Sequence, residues 1–354
     1  MLKACVFLVS RSKLMRKSIQ DDISILKKLN IPRIWNGLKV LFSFYWSKWT
    51  NSPITWGSPI SFAIEPTTAC NLGCPECPSG LRSFSRPTGN LKKEVYEKAI
   101  DELSKKALYL TLYFQGEPYI NPDFLEIVKY ARSKKMHTSS STNAHFLNDD
   151  NARETVESGL DRLIISIDGT TQEVYEQYRI GGKLEKVIEG TKNVVKWKKA
   201  LKSNSPHLIF QFLVVKPNEH QMEDVQQLAD ELGIDDVRFK TAQVYDYKNG
   251  NPLIPENEHY SRYRKQKNGT YEIKNKLDNH CWKMWHSCVI TWDGRVIPCC
   301  FDKDAQFVMG NVADQPFDSI WESHKYRSFR SQLFKGRDQI EICKNCSEGT
   351  RVWA

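Results

Sequence analysis

Between Ser61 and Thr241, short apolar runs rich in β-branched and aromatic residues alternate with longer stretches whose apolar positions recur at helical spacing. The runs at 61–66, 108–114, 136–142, 162–167, 208–215 and 237–241 predict strands. The stretches near 91–105, 122–134, 149–158, 183–202 and 220–231 predict helices. Asn121-Pro122-Asp123 ahead of Phe124 reads as a helix start. Strands that alternate with helices pair in parallel, because each crossover must pass over one face of the sheet. Six strands fall short of the eight in a closed barrel. The expected fold is therefore α/β, a partial TIM-like (β/α)6 barrel, with its chemistry beyond the C-terminal strand ends.

Past residue 245 the alternation stops. Residues 246–280 are polar, with a loop signal at Asn249-Gly250-Asn251-Pro252. Val289-Ile290-Thr291-Trp292 and Arg295-Val296-Ile297 then flank Asp293-Gly294, which predicts a hairpin with a two-residue turn. A helix is expected over 317–334. The pattern divides the chain into a helical extension at 1–58, the barrel at 59–245, a linker at 246–280 and a small hairpin-plus-helix domain at 281–354.

Composition sharpens this division. The 354 residues are 40% hydrophobic and 11% aromatic, which excludes a chain without a core. The apolar run Ala4–Val9 is far shorter than a membrane span and ends at Ser10-Arg11, a poor secretory signal. The net charge of +9 is concentrated: residues 1–58 carry +8 and the remaining 296 only +1. That distribution makes nucleic acid an unlikely partner. The head also holds Trp35, Trp46, Trp49 and Trp56, and residues 37–49 read as an amphipathic helix with Lys39 and Lys48. Such a helix can lie on an anionic membrane surface. Alternatively, it packs across the barrel opening and buries its aromatic face.

Nine of the ten cysteines fall in two clusters, the pattern of metal ligands in a reducing cytoplasm and not of a secreted disulfide scaffold. Cys70, Cys74 and Cys77 follow the first strand with C-x3-C-x2-C spacing. Three cysteines leave a tetrahedral zinc site one ligand short unless a distant Cys or His completes it. They can instead hold three irons of a [4Fe–4S] cluster and leave the fourth iron open.

This segment resembles the signature of radical S-adenosylmethionine (SAM) enzymes. The resemblance implies a cluster held by three cysteines whose open iron chelates S-adenosylmethionine. It implies reductive cleavage to a 5′-deoxyadenosyl radical that abstracts a hydrogen atom from a substrate. A reducing partner such as flavodoxin or ferredoxin is implied as well. Gln115-Gly116-Glu117-Pro118 resembles the motif that contacts the cosubstrate ammonium, with Gln115 in place of its first glycine. Ser141-Thr142-Asn143 and Ser166-Ile167-Asp168 lie where the family contacts ribose or carboxylate, and Arg179 resembles the arginine that pairs with the carboxylate. Glu76 stands where the family has an aromatic residue against adenine.

Residues 281–346 resemble the SPASM or shorter twitch extension that binds auxiliary clusters. Only eight residues follow Cys346, none of them cysteine, so one auxiliary [4Fe–4S] cluster is expected. Its expected ligands are Cys281, Cys299, Cys343 and Cys346, with Cys288 and Cys300 as alternates. A zinc ribbon remains an alternative here. Asp302 is the candidate base for an oxidation, Asp304 reads as a solvated loop carboxylate, and His145, Lys240 and Gln243 are candidate cavity residues. The expected enzyme is cytoplasmic, with peripheral membrane contact through residues 1–58 open, and acts on a carbohydrate, peptide or protein side chain. The head lacks a hairpin signal and is short for the leader-binding domain of peptide-modifying relatives. A non-catalytic zinc or iron–sulfur adaptor is the other class the sequence allows.

Overall fold

The computed structural model describes residues 20–349 and Val352. The Ala4–Val9 run, Cys5 and the first five basic residues lie outside the described residues. Six parallel strands form the barrel wall in sequence order: β1 (Ser61–Ile64), β2 (Tyr109–Thr111), β3 (His137–Thr142), β4 (Arg162–Ser166), β5 (His207–Val214) and β6 (Asp236–Thr241). Helices Lys93–Leu103, Phe124–Ser133, Asp149–Ser158, Leu184–Ala200 and Met222–Leu232 make the crossovers. Asn148 caps one of them by accepting from the Asn151 N–H. Strands and helices thus fall within a few residues of the expected ranges.

The sheet does not stop at six strands. In the C-terminal region, β9 (Ser287–Ile290) pairs in parallel with β1, Ser61 opposite Ser287 and Ile64 opposite Ile290. β10 (Arg295–Ile297) and β11 (Gly310–Asn311) extend that side antiparallel, giving nine strands with β6 and β11 at the edges. β1 is therefore an interior strand, and the C-terminal domain continues the barrel wall.

Three local expectations change. The hairpin turn has three residues, not two: Thr291 N–H donates to the Arg295 carbonyl across Trp292-Asp293-Gly294. Gly294 takes the left-handed position this turn requires, at φ +85°. The helix expected at 317–334 is two helices, Phe317–Trp321 and His324–Gly336, because Ser323 breaks off and caps the second through the Tyr326 N–H. The linker contains its own hairpin, β7 (Tyr263–Lys265) with β8 (Tyr271–Ile273). The Tyr263 hydroxyl meets both Val244 and Asn345, so this segment braces the Cys343–Cys346 turn.

The N-terminal helix α1 (Ile31–Thr50) lies across the end of the barrel where the strands begin. The Arg33 guanidinium donates to the Ser104, Lys134 and Lys135 carbonyls, which precede β2 and β3. Before it, Ser24 bonds Asp161 and Asp21 pairs with Arg162 at the start of β4. The cysteine triad follows the opposite end of β1. The helix does close the barrel, but with Arg33, Asn36, Ser43 and Ser47 buried alongside Val40 and Phe44, and its other aromatic residues exposed. The expectation that it buries an aromatic face is corrected on this point. The polar side fits because it meets free backbone groups: Arg33 finds carbonyls, and Asn36 exchanges two hydrogen bonds of 2.9 Å with Ser58. Among the described residues no helix is long and apolar enough to cross a membrane.

Candidate functional site

The triad loop is fixed by close backbone contacts. Leu72 N–H points at Cys70 Sγ (3.5 Å), and the short helical turn Pro78–Leu81 folds back beneath Cys74. A Cβ at Gly80 would meet the Cys74 backbone at 2.6 Å, so only glycine allows that approach. Leu72, Cys74, Tyr178, Val215 and Val244 form an apolar cluster under the loop, which keeps water from its inner side.

The segment 115–118 is bonded onto the same loop. Gly116 N–H donates to Ser79 and Glu117 N–H to the Ala69 carbonyl. Gly116 sits at φ +74°, where a Cβ would strike the Thr67 carbonyl at 2.4 Å. Glu117 is buried at the ends of β2 and β3. Its two oxygens accept from Thr142 Oγ1 and Asn143 N, each at 2.7 Å. Burial holds its carboxyl up at about 7, against the pull of those donors. Asn143 reaches on to Asn71 (2.8 Å) and Cys70 Sγ (4.0 Å). The structure thus joins Cys70, Glu117 and Asn143 in one network, and Thr142, read only as part of a triplet, is its anchor.

Arg179 lies against the other side of the loop. Its Nε is 2.5 Å from Asp168 and its Nη1 3.9 Å from Cys74 Sγ. Asp168 is fully buried, and its second oxygen accepts from Leu213 N. Arg179 and the β5 backbone take up its carboxylate, so Asp168 holds the arginine in place. Ser166, two residues earlier at the end of β4, is buried, and Ser141 is partly exposed on β3. Pro118 opens the turn that Glu117 caps. Glu76 accepts from Tyr245 N at 2.9 Å, which ties the triad loop to the segment after β6. His145 Nε2 accepts from Lys183 N and its Nδ1 faces the Asn143 carbonyl, so it is a loop brace. Lys240 is exposed on β6, and Gln243 lines the cleft described below.

In the C-terminal region the buried guanidinium of Arg337 faces Cys281, Cys343 and Cys346, with Nη2 3.3 Å from Cys346 Sγ. Burial raises all three thiols and Arg337 lowers them. Cys299 and Cys300 are hydrogen-bonded to each other; that bond and Lys283, 3.9 Å from Cys300 Sγ, pull the Cys300 thiol down. Cys288 sits within β9 opposite Phe62, with Arg330 the charged group acting on it. No sequence signal beyond a cation near thiols marked Arg337 or Lys283. Among the described residues no group of three or more His, Cys, Asp or Glu side chains is placed to hold a single metal ion.

Asp302 lies at the turn after Cys300 and lines the cleft described below. It is buried, and its two oxygens accept from Gln306 N (2.7 Å) and Phe307 N (2.9 Å), closing the turn after Cys300. Asp304 is no free loop carboxylate either, because it binds Ser85 and Arg86 N–H groups. Between the two cysteine regions lies an open cleft of about 740 Å³ lined by Pro78, Tyr245, Tyr247, Phe301, Lys303 and Ile342. A smaller cavity of about 360 Å³ runs inside the wall past Tyr113, Gln115, Lys283, Cys299 and Cys300. Lys303 lines both.

The family model of the radical SAM superfamily matches residues 64–232, and that of the SPASM iron–sulfur cluster-binding domain matches residues 281–347. The tungsten-containing aldehyde ferredoxin oxidoreductase cofactor-modifying protein of Pyrococcus furiosus is 26% identical over 302 residues, 75% of this chain and 82% of that protein. The PqqA peptide cyclase of Gluconobacter oxydans is 24% identical over 314 residues, 83% and 84% of the two chains. Streptococcus suis SuiB bound to S-adenosylmethionine shares the fold at a TM-score of 0.60 and 15% identity, over 86% of this chain and 75% of that one. A radical SAM domain binds a [4Fe–4S] cluster and S-adenosylmethionine, and a SPASM domain binds auxiliary iron–sulfur clusters. The residues present fit both. Each thiol group has a guanidinium against it, which suits an anionic thiolate-bound cluster, and Glu117 offers a buried carboxylate to an ammonium.

Proposed function

The chain is a radical SAM protein with a SPASM-type iron–sulfur domain, and on that premise we propose that it abstracts a hydrogen atom from a peptide or protein side chain, or a carbohydrate, to oxidise or otherwise modify it. Glu117 carries this reading: a buried carboxylate, locked by Thr142 and Asn143, in one network with Cys70. Cys70, Cys74 and Cys77 would hold the first cluster. Cys281, Cys343, Cys346 and one of the adjacent Cys299 and Cys300 would hold a single auxiliary [4Fe–4S] cluster. When bound, the first cluster and the cosubstrate supply the 5′-deoxyadenosyl radical that takes the hydrogen. The chain's own residues bind, orient and exclude water. Glu117 receives the cosubstrate ammonium, and Arg179, steadied by Asp168, offers its remaining N–H groups to the carboxylate. The apolar cluster beneath the triad keeps solvent from the loop. The cleft past Tyr245 and Lys303 admits the substrate between the two cysteine regions.

A peptide or protein substrate is favoured by the similarity to a peptide cyclase and by SuiB, a structural neighbour seen bound to its precursor peptide SuiA. A flavodoxin or ferredoxin of the cytoplasm would supply the electron. Anaerobic reconstitution tests the reading: about eight iron and eight sulfide per chain are expected, with 5′-deoxyadenosine formed on reduction and lost in Cys70→Ala. Stoichiometric zinc without a nucleoside product would make the chain a metal-binding adaptor instead.

A further inference from the structure

We infer that the outward face of α1 and the residues flanking it dock on an anionic lipid bilayer, with the closed end of the barrel toward the membrane. This inference is independent of the reaction proposed above. An amphipathic helix on a globular protein normally turns its apolar face inward. Here the inner side is largely polar beside Val40 and Phe44, and the other aromatic residues face outward. The inner side carries Arg33, Asn36, Ser43 and Ser47, each bonded to backbone. The outer side leaves Ile31 83%, Trp49 76%, Phe42 61% and Trp35 59% exposed. Leu26, just before the helix, is 60% exposed, and Trp56, after it, lies beside Trp46 at 6.1 Å. Ile31, Trp35, Phe42, Trp46 and Trp49 recur at helical spacing along one face, and Trp46 meets both Trp49 and Trp56, the kind of patch that marks an interaction site.

The charge around this patch selects the occupant. From Ile23 to Ser58 the chain carries Lys27, Lys28, Arg33, Lys39 and Lys48 and no Asp or Glu. Residues 1–19 add five more basic groups and no acid. A second copy of this chain would set lysines against lysines across a two-fold interface. An anionic bilayer gives the exposed Lys27, Lys39 and Lys48 a counter-charge. Lys39 folds over the Trp35 ring (5.8 Å), beside apolar surface that would enter the headgroup region. Tryptophan is also the side chain suited to that depth, with an apolar body and one polar N–H.

Flotation of the reconstituted full-length protein with phosphatidylglycerol–phosphatidylcholine vesicles tests this, with phosphatidylcholine alone as control. Binding is expected only with the anionic vesicles, with a blue shift of tryptophan emission, and it weakens as salt is raised. Phe42→Asp with Trp49→Asp should weaken binding by about tenfold or more, while iron content and cosubstrate cleavage stay at the level of the parent. Lys39→Glu with Lys48→Glu, which leaves the apolar face intact, should weaken it by about fivefold or more per charge. Equal binding to both vesicle types, or none, overturns the inference. A solution dimer that the Phe42 and Trp49 substitutions dissociate assigns the face to a second copy and overturns it as well.

Discussion

Glu65 and Arg86 meet as a bidentate pair, at 2.6 and 2.8 Å, with both side chains out of contact with water. Glu65 directly follows β1, and Arg86 lies in the loop after the triad. Arg86 Nε also donates to the Lys303 carbonyl, and Trp292 N–H donates to Glu65. One ion pair therefore ties the triad loop to the C-terminal domain. Arg86→Ala strands a buried carboxylate and should cost about 3–5 kcal/mol in urea unfolding. Replacing both partners, Glu65→Leu with Arg86→Met, should recover most of that loss. Equal destabilisation of single and double variants would show that the pair's charge is not the source.

Cosubstrate affinity should depend on pH through Glu117. Its carboxyl is held at about 7, and an ammonium is attracted only to the ionised form. Binding measured by titration calorimetry should weaken about tenfold from pH 8 to pH 6, since one unit below the pKa leaves about a tenth ionised. Glu117→Gln should bind weakly and without that slope.

Arg337→Met removes the cation facing three buried thiols. Reconstituted iron should fall from about eight to about four per chain, with 5′-deoxyadenosine still formed. Asp302→Asn loses one acceptor for a backbone N–H and should cost about 1–3 kcal/mol. Its signature is poorer retention of auxiliary iron at an unchanged pH profile. A shifted profile at full iron content would restore Asp302 as a base.

Acid should loosen the closed end of the barrel. Burial lowers His137 to about 4, below its ordinary 6.5, despite Asp161 and Asp21 nearby and with Arg162 and Lys28 adding to the depression. The unfolded chain therefore takes up this proton more readily. The stability is complete above about pH 6.5 and is lost as pH falls toward 4, on the order of 3 kcal/mol in all. The gap between denaturation curves at pH 7 and 4.5 should narrow in His137→Gln.

The six barrel strands and their crossover helices were legible because period and capping act locally, as at Asn148. The triad and the Gly116-Glu117 turn were legible because their spacing is itself the chemistry. What escaped depends on distant partners. Nothing near β9 says that Ser287 pairs with Ser61, and nothing near Arg33 says that three carbonyls from later turns await it. The helical pattern on α1 was readable, but which face turns inward was decided by those carbonyls. The sequence offered Asp302 as a base and did not show the two backbone N–H groups that its carboxylate accepts from.

The pairing of β1 with β9 also sets a schedule. At about 5–20 residues per second, β9 is synthesised on the order of ten to fifty seconds after β1. Until then the strand that feeds the cysteine triad is a bare edge, open to pairing with another chain. The barrel therefore cannot be completed domain by domain from the ribosome, and a nascent chain stopped near residue 280 should need a chaperone to stay dispersed. The loop of Cys70, Cys74 and Cys77 is tied to that later region through Arg86 and the Lys303 carbonyl, so it takes its final shape only after the C-terminal domain has been made.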